Sequence, residues 1–389
     1  MLPDSKDRDR IINMLSLYVH IPFCASKCSY CGFYSTRYDT STADSFLDAL
    51  GRELCQYRDL LQQRKAGTLY IGGGTPTTLS PDQLTRLFRL IDDHISLERG
   101  AEVTMEVNPN TLSRDTIALL RDAGVNRLSI GVQSFSDAVL AALGRVHSAA
   151  EALQAFAVAR EGGFDNVGID LIYGVPGQGA DRWATSLRTA LDLRPEHLSL
   201  YSLSADDGSR LKILADAGET SLPDDDIAAA MYLDALPALE RAGYEHYEIS
   251  NWCLPQRECR HNMNYWERGE YLGFGPAAWS FIGGRRTANV RDTATYASRL
   301  IAGRPATGTI DPAAEAEALA ETILLRLRTA KGIDLAWFGG HFGSDQRRSL
   351  EARAATLGPS GMIMVDGDNL RLTARGMLLS TEAIGRLLP

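Results

Sequence analysis

The sequence predicts an α/β protein with a parallel sheet, followed by a smaller α+β unit. Two observations support this fold class: strand-like and helix-like segments alternate six times, and the unusual residues gather where the strands end. The strand-like runs are short and apolar, and they cover residues 15–20, 68–71, 103–107, 127–132, 167–173 and 197–203. The helix-period stretches cover residues 43–62, 81–95, 113–123, 148–162, 181–192 and 224–242.

Successive β-then-α units favour a parallel sheet with right-handed crossovers, in which helices cover the sheet. Periodicity alone leaves open whether the sheet is doubly wound or forms a complete or partial barrel. In parallel β/α folds of this kind, the carboxyl ends of the strands gather the active site. Cysteine, glycine or polar residues follow five of the six strands, so we expect a functional site at that rim.

The composition indicates a globular protein of the cytoplasm. The chain has 389 residues, of which 44% are hydrophobic and 23% charged, and these values are ordinary for a globular protein. Its net charge of -9 argues against nucleic acid as a partner, since such proteins usually carry a basic stripe. No apolar run approaches the roughly 20 residues that span a bilayer. The mixed-charge start is not a secretory signal, and six cysteines are too few for a disulfide scaffold.

Three cysteines follow the first strand, with the spacing Cys24-x3-Cys28-x2-Cys31. Cysteine thiolates are the usual ligands of iron–sulfur clusters. Three of them cap only three irons of a cubane, so the fourth iron is open to a ligand such as the amino and carboxylate groups of S-adenosylmethionine (SAM). Zinc is the alternative, but structural zinc normally takes four ligands in two close pairs, and no second pair stands nearby. The triplet therefore favours iron–sulfur.

Further candidates stand at the ends of the next strands. Gly72-Gly73-Gly74 suits close backbone approach by a ligand. A tight turn is the alternative, but the run lies one strand from the cysteine loop, so contact with the amino group of SAM is favoured. Glu106, Gln133, Arg145 and Asp170 are polar residues on or near strand ends. Each alone is typical of a solvated loop, but together they offer acceptors for ribose hydroxyls. Arg145 suits the carboxylate of SAM.

Residues 247–290 are rich in Gly, Trp, Tyr and Asn and are predicted to form loops that wrap the core. Within them, His261 is flanked by Asn, Tyr and Trp, a setting that suits a haem-iron ligand or a planar aromatic pocket. A structural role that ties loop backbone together is the alternative. Cys253 and Cys259 flank this block, but lone cysteines are usually small buried hydrophobes, so their participation stays open.

The expected organisation has four parts. Residues 1–14 form an N-terminal extension, 15–246 the core, 247–311 the wrapping segment, and 312–389 a C-terminal unit. In the last unit, a long helix near 313–329 precedes a hairpin at 362–373 with Asp366-Gly367 in the turn. This order indicates a winged-helix-like domain, and its nearly balanced charge argues against DNA binding.

Together these motifs are similar to the HemN group of radical SAM proteins, the oxygen-independent coproporphyrinogen oxidases and their relatives. Within that group the chain most resembles the HemW branch of haem chaperones. The resemblance extends from Tyr18 through the C-terminal hairpin. Its most specific stretches are 18–31, 72–76, 131–135, 143–147, 170–178, 247–251 and the block His261-Asn262-x-x-Tyr265-Trp266.

The resemblance implies a partial (β/α)6 TIM-like radical SAM barrel, with SAM bound inside its rim, and a winged-helix-like C-terminal domain. It implies that Cys24, Cys28 and Cys31 ligate a [4Fe-4S] cluster and that His261 is the leading haem-ligand candidate. The residues implied to contact SAM are Tyr18, Tyr30, Gly73, Gly74, Thr75, Glu106, Gln133, Arg145 and Asp170.

The implied function is to bind haem and transfer it to an acceptor protein, for which a respiratory cytochrome is one candidate. A homodimer and peripheral membrane association are compatible with this function. The first alternative is a HemN-like C-methyltransferase or cyclopropanase that uses a second SAM molecule. The second is oxidative decarboxylation of coproporphyrinogen III.

Two differences argue against oxidase activity. The oxidases resembling this chain carry a further cysteine where this chain has Phe33, and an additional N-terminal segment where about fifteen residues precede the first strand here. The chain also departs from the commonest HemW pattern at two positions. Gly32 replaces a frequent aspartate, and Trp279 stands where a histidine is common, so the haem environment is less well defined by the resemblance.

Overall fold

The computed structural model describes residues 15–205, 209–221, 224–311 and 317–389. The predicted extension at 1–14 lies outside the described residues. The strands of the N-terminal part are Leu15–Ile21 (β1), Phe23–Cys24 (β2), Thr36–Arg37 (β3), Ala66–Gly73 (β4), Leu97–Val107 (β5), Arg127–Gln133 (β6), Val167–Tyr173 (β7) and His197–Ser202 (β8). The helices are Thr40–Gln56 (α1), Arg58–Gln63 (α2), Pro81–His94 (α3), Arg114–Asp122 (α4), Asp137–Ala142 (α5), Ala149–Glu161 (α6), Ala180–Leu193 (α7), Arg210–Asp216 (α8) and Asp225–Arg241 (α9).

The six long strands pair in parallel and in chain order, β1-β4-β5-β6-β7-β8. Helices follow each of them, which confirms the predicted α/β class and its partial-barrel topology. Successive side chains of a strand point to opposite faces. In β1, Leu17 and Val19 belong to the apolar core that the helices cover, whereas Tyr18 and His20 line a cavity. The inner face of the sheet is therefore polar, as a binding site requires.

Helix starts follow the predicted signals. Ser80 and Gln83 form a capping box at the start of α3, where Pro81 occupies the first turn. Ser148 and Glu151 form a second capping box at the start of α6. Reciprocal bonds of this kind satisfy backbone N–H groups that have no partner inside the helix. Both helices consequently begin within one residue of the predicted positions, whereas α1 begins at Thr40, three residues before its predicted start.

The prediction that residues 247–290 form loops is wrong. These residues and those that flank them contain strands Glu245–Glu248 (β9), Asn251–Cys253 (β10), Tyr271–Phe274 (β11), Trp279–Ile282 (β12), Arg285–Asn289 (β13) and Thr307–Asp311 (β14), and helices Arg260–Trp266 (α10) and Thr293–Ile301 (α11). Each strand has at most five residues, which is too short for a periodic signal to stand out.

These strands extend the barrel sheet at both edges to twelve strands. β11 pairs in parallel with β1, and β12 to β14 continue from it in antiparallel order. Gly273 permits the sharp return to β12, because a Cβ there would lie 2.2 Å from the carbonyl oxygen of Trp279. The parallel pairing brings the residues after β11 beside the carboxyl end of β1. The extension thus forms one wall of the rim.

The C-terminal unit has its own apolar cluster. Its elements are Ala318–Arg326 (α12), Ile333–Asp334 (β15), Leu335–Phe342 (α13), Ser344–Leu357 (α14), Ile363–Asp366 (β16), Asn369–Leu372 (β17), Ala374–Leu378 (α15) and Ser380–Gly385 (α16). The predicted hairpin is present as β16 and β17. Its two turn residues are Gly367 and Asp368, one position later than predicted, since Asp366 still pairs with Asn369. Gly367 has a φ of 59°, which the first residue of such a tight turn requires.

The predicted helix near 313–329 is observed as the shorter α12, and residues 312–316 lie outside the described residues. The C-terminal unit contacts the barrel at Glu248, which bridges to Thr329. The domain boundaries at 14, 246 and 311 stay predictions. Across the described ranges, no helix is both long and apolar enough to cross a membrane.

Candidate cluster and cofactor site

The cysteine loop, residues 24–35, begins and ends in the two-stranded sheet formed by β2 and β3. β2 and β3 pair at the base of the loop, with Phe23 opposite Thr36, and the Tyr38 N–H donates to the Cys24 carbonyl at 2.9 Å. The loop between these strands therefore closes on itself after β1. Cys24, Cys28 and Cys31 are all free thiols and all partly exposed, so they are accessible to an inorganic cluster.

Hydrogen-bond donors reach each of the three sulfurs. Arg145 Nη1 lies 3.3 Å from Cys28 Sγ, and the Thr75 hydroxyl lies 3.7 Å from Cys24 Sγ. Burial raises the pKa of Cys31, an effect that the Phe33 backbone N–H partly offsets. Donors of this kind stabilise thiolates and tune the iron–sulfur clusters that thiolates hold. The donor set therefore fits a cluster.

Arg145 connects the cysteine loop to the end of β6. Its Nη2 donates to the Gly131 carbonyl at 2.7 Å, and its Nε has no hydrogen-bond partner among the described residues. Burial by itself lowers the pKa of Arg145, but the neighbouring Tyr30 and Cys28 raise it above the ordinary value. Arg145 is therefore a fixed cation with an unused donor, which suits an anionic group of a ligand.

The glycine run after β4 is sterically required. A Cβ at Gly73 would lie 2.5 Å from His20 Nδ1, and one at Gly74 would lie 2.5 Å from the carbonyl oxygen of Phe23. Gly73 also has a φ of 108°, which L side chains rarely adopt. The run therefore packs tightly against the strand that carries the cysteine loop, and both glycines also line a cavity.

Two buried carboxyl groups lie across this cavity. Glu106 accepts hydrogen bonds from the Tyr70 hydroxyl at 2.8 Å and from the Gly73 N–H at 3.0 Å. Burial raises the pKa of Glu106 to about 7, although these two bonds act against the shift. Burial also raises the pKa of Asp170, which accepts a bond from Ser129 at 3.2 Å. Both carboxyl groups can accept hydrogen bonds from a ligand.

The smaller of the two main cavities has a volume of about 410 Å³. Gln133 lines it with a φ of 65°, a strained conformation for a residue other than glycine. The structure brings together here all but one of the predicted SAM residues: Tyr30, Gly73, Gly74, Thr75, Glu106, Gln133, Arg145 and Asp170. Tyr18 lies apart from this group and lines the larger cavity, where its hydroxyl bonds to His20 Nδ1 at 3.0 Å.

The larger cavity has a volume of about 1150 Å³ and lies between the barrel and the wall formed by β11 to β14. Ten of the residues that line it are Tyr, Phe or Trp. Tyr70, Glu106, Tyr201 and Asn262 line both cavities, so the two spaces adjoin. The cysteine loop reaches both of them through Phe33.

Helix α10 carries the His261 block into the barrel interior. Glu102 of β5 accepts bonds from the backbone N–H groups of Arg260 and His261, both at 3.1 Å, and so anchors the start of the helix. Asn264 anchors its end by donating to the Glu270 carbonyl at 3.0 Å. Asn264 thus has the structural role that the sequence offered as the alternative for this block, that of tying loop backbone together.

His261 is buried at the floor of the larger cavity, with 1% of its surface exposed. Its Nδ1 lies 2.8 Å from the Thr68 hydroxyl and its Nε2 lies 2.9 Å from the Tyr265 hydroxyl. Burial and the positive charge of Arg127 lower the pKa of His261 to about 3. The imidazole is therefore neutral at physiological pH.

The two flanking cysteines lie away from both cavities. Cys253 and Cys259 are fully buried and line neither space. Burial raises the pKa of each thiol to about 12. They therefore fit the role of small buried side chains.

Sequence reasoning missed several residues of the polar interior. Those that line the smaller cavity include Tyr70, Arg127, Ser129, His197, Ser199 and Tyr201. The alternation within the predicted strands provides a signal for them, because each is a polar or aromatic residue in an otherwise apolar run.

The sequence matches the radical SAM superfamily over residues 18–190 and the HemN C-terminal domain over residues 314–379. It is 38% identical to the haem chaperone HemW of Mycobacterium tuberculosis, with 96% of this chain and 94% of that protein covered. It is 36% identical to the haem chaperone HemW of Bacillus subtilis, with 96% of this chain and 99% of that protein covered. The chain belongs to the HemW family.

A solved structure supports the fold of this HemW-family chain. The coproporphyrinogen III oxidase HemN of Escherichia coli, a radical SAM enzyme, superposes with a TM-score of 0.85 at 25% identity, covering 99% of this chain and 93% of that chain. Membership of the radical SAM superfamily confirms the prediction of an iron–sulfur cluster and SAM as cofactors and decides against zinc. The predicted family and fold are thus confirmed.

Proposed function

We propose that this protein is a haem chaperone: it binds one [4Fe-4S] cluster, SAM and haem, and transfers the haem to an acceptor protein. The observation that carries this proposal is the neutral His261 imidazole at the floor of a large aromatic cavity, which adjoins the candidate SAM cavity and the cysteine loop. The full-length similarity to proteins named haem chaperones supports it.

Cys24, Cys28 and Cys31 would hold the cluster, which when bound supplies an electron to the sulfonium of SAM. Arg145 supports SAM binding next to the cluster, because it contacts Cys28, lines the smaller cavity and has an Nε without a hydrogen-bond partner among the described residues. We assign it to the carboxylate of SAM. Glu106 would accept hydrogen bonds from SAM. The other residues of the smaller cavity would enclose the ligand.

Hydrogen bonding supports the Nε2 atom of His261 as the haem-iron ligand. The Thr68 hydroxyl donates to Ser16 Oγ at 2.8 Å, so its oxygen accepts from His261 Nδ1–H. The lone pair of the ring then lies on Nε2, where the Tyr265 hydroxyl donates to it. Metal-bound histidines commonly donate the other ring N–H in this way. For His261 Nε2 to hold iron, the Tyr265 hydroxyl would have to release its hydrogen bond to that atom.

The proposal extends to the setting of the protein. Three reduced thiols require a reducing compartment, so we propose a cytoplasmic location. The acceptor would be a protein that uses haem, such as a respiratory cytochrome. A homodimer and a peripheral membrane association stay parts of the proposal, as does the absence of a nucleic-acid partner.

The test compares three activities of anaerobically reconstituted protein. Haem titration should give a saturable Soret shift with one haem per chain, and haem-loaded protein should pass haem to a haem-free acceptor. Separate incubation with reductant, SAM and coproporphyrinogen III should give no decarboxylated product. Decarboxylation without haem uptake would identify an oxidase instead, and methylated product with S-adenosylhomocysteine would identify a methyltransferase.

A further inference from the structure

We infer that the larger cavity holds the haem with its macrocycle against Phe33 and Trp279 and with a propionate on Arg291. This inference rests on the proposed function and specifies where and how the haem binds. The cavity, of about 1150 Å³, exceeds the roughly 300–1,000 Å³ of sites for drug-sized ligands. A tetrapyrrole is a ligand of the corresponding size.

The aromatic lining suits a flat, apolar ligand. Phe33 and Trp279 are exposed over 68% and 45% of their surfaces, although both line the cavity. Phe33 lies two residues after the third cysteine, and Trp279 is the first residue of β12, in the wall formed by β11 to β14. Large exposed aromatic side chains around a cavity indicate a ligand-binding or interaction site. Stacking of aromatic rings on a macrocycle would cover both side chains.

The charge at the mouth suits the anionic edge of haem. Among the arginines that line the cavity, Arg268 and Arg286 both pair with Glu321. Arg291 is exposed and makes no ion pair within the described part of the chain. Its guanidinium lies 5.7 Å from the centre of the Tyr34 ring. Arg291 is therefore the cation available to a propionate.

The position of Tyr34 fixes this edge of the cavity. Its hydroxyl accepts from the Thr293 N–H at 2.8 Å, and its carbonyl lies 2.9 Å from His20 Nε2. The first bond joins the end of the cysteine loop to the start of α11, and the second joins it to β1. Tyr34, which Arg291 contacts, is thus fixed at this edge of the cavity.

Haem titrations of four variants test the inference. We expect Trp279→Ala to weaken haem binding about tenfold, as truncation of a central aromatic contact does. Arg291→Gln should weaken it about three- to fivefold, because the ion pair is partly exposed. The matched controls are Leu233→Ala, whose side chain is 44% exposed on α9, and Arg285→Gln, an exposed neighbour outside the cavity lining. Both should bind haem as the wild type does.

Haem dimethyl ester separates the two contacts, since it lacks the propionate charges. Trp279→Ala should weaken binding of the ester as well, whereas Arg291→Gln should leave it unchanged. Wild-type affinity for haem in both variants would overturn this location while leaving the proposed function intact. Failure of the wild-type protein to take up haem would overturn the proposed function itself. Retained cluster absorption in each variant serves as the check on folding.

Discussion

The ring of Tyr70 stacks on the imidazole of His261, with ring centroids 5.1 Å apart and planes inclined by 30°. The hydroxyl of the same tyrosine donates to Glu106 at 2.8 Å. One side chain therefore contacts both the candidate haem ligand and a candidate SAM residue. Through Tyr70, the protonation of Glu106 is linked to both parts of the site.

SAM binding should depend on pH through Glu106. The pKa of Glu106 is raised to about 7 by burial, and its ionised form is the better hydrogen-bond acceptor. We expect SAM affinity to rise as pH increases through about 7 and to level off above it, as measured by anaerobic calorimetry. In Glu106→Gln the Glu106-dependent part of this profile should disappear. In Tyr70→Phe the midpoint should move to higher pH, because a bond that lowers the Glu106 pKa is lost. An unchanged profile in both variants would contradict the assignment.

Each of the three loop cysteines should be required for the cluster. Replacing Cys24, Cys28 or Cys31 by Ala removes one thiolate, and two thiolates hold a cubane poorly. We expect each variant to lose its brown colour after anaerobic reconstitution, as followed by iron content and visible absorption. Cys55→Ala is the matched control, since Cys55 is an exposed free thiol on α1. Full cluster content in any loop variant would sink the ligand assignment.

Gly74 should be irreplaceable even by alanine. The added methyl group would lie 2.5 Å from the carbonyl oxygen of Phe23, the residue before Cys24. Backbone atoms cannot rotate aside, so Gly74→Ala should displace the cysteine loop and destabilise the fold by about 1–3 kcal/mol. Cluster retention and urea denaturation measure the two effects. Gly340→Ala, inside α13, where nothing lies within 4 Å of the added Cβ, should retain the cluster and lose no stability.

Glu53 should stabilise the wall that carries Trp279. It is fully buried on α1 and accepts bonds from the Gly275 N–H, from Asn289 and from the Tyr296 hydroxyl, at 2.9, 2.6 and 2.6 Å. Glu53→Ala leaves these donors without a partner, so we expect the free energy of unfolding to fall by about 3 kcal/mol. Urea denaturation measures this change. The exposed Glu240→Ala is the control, and equal stability of the two variants would refute the role of Glu53.

The sequence allowed the barrel to be predicted because its signals are local. Six strands of six or more residues alternate with capped helices. In such folds, the residues that follow the strands meet at the carboxyl ends of the sheet. Cys31, Gly73, Glu106 and Asp170 therefore converge as expected. Long-range contacts had no such signal. The bond of His261 to Thr68 joins residues 193 positions apart, and neither local sequence indicates the other.

The wall of the larger cavity escaped prediction for a related reason. Its strands contain four or five residues each, and their order depends on pairing with β1 at the far end of the chain. The sequence marked Phe33 and Trp279 as departures from related proteins. Only the pairing of β11 with β1 explains why both line one cavity.

Haem ligation by His261 is tested by the spectrum of ferric haem bound to cluster-loaded protein, in the wild type and in His261→Ala. We expect one saturable haem per chain in the wild type, and a Soret band that shifts in the variant and returns when imidazole is added. Tyr265→Phe should retain the wild-type spectrum, because it removes only the hydroxyl that iron replaces. Identical spectra and affinities in wild type and His261→Ala would show that His261 is not the haem ligand.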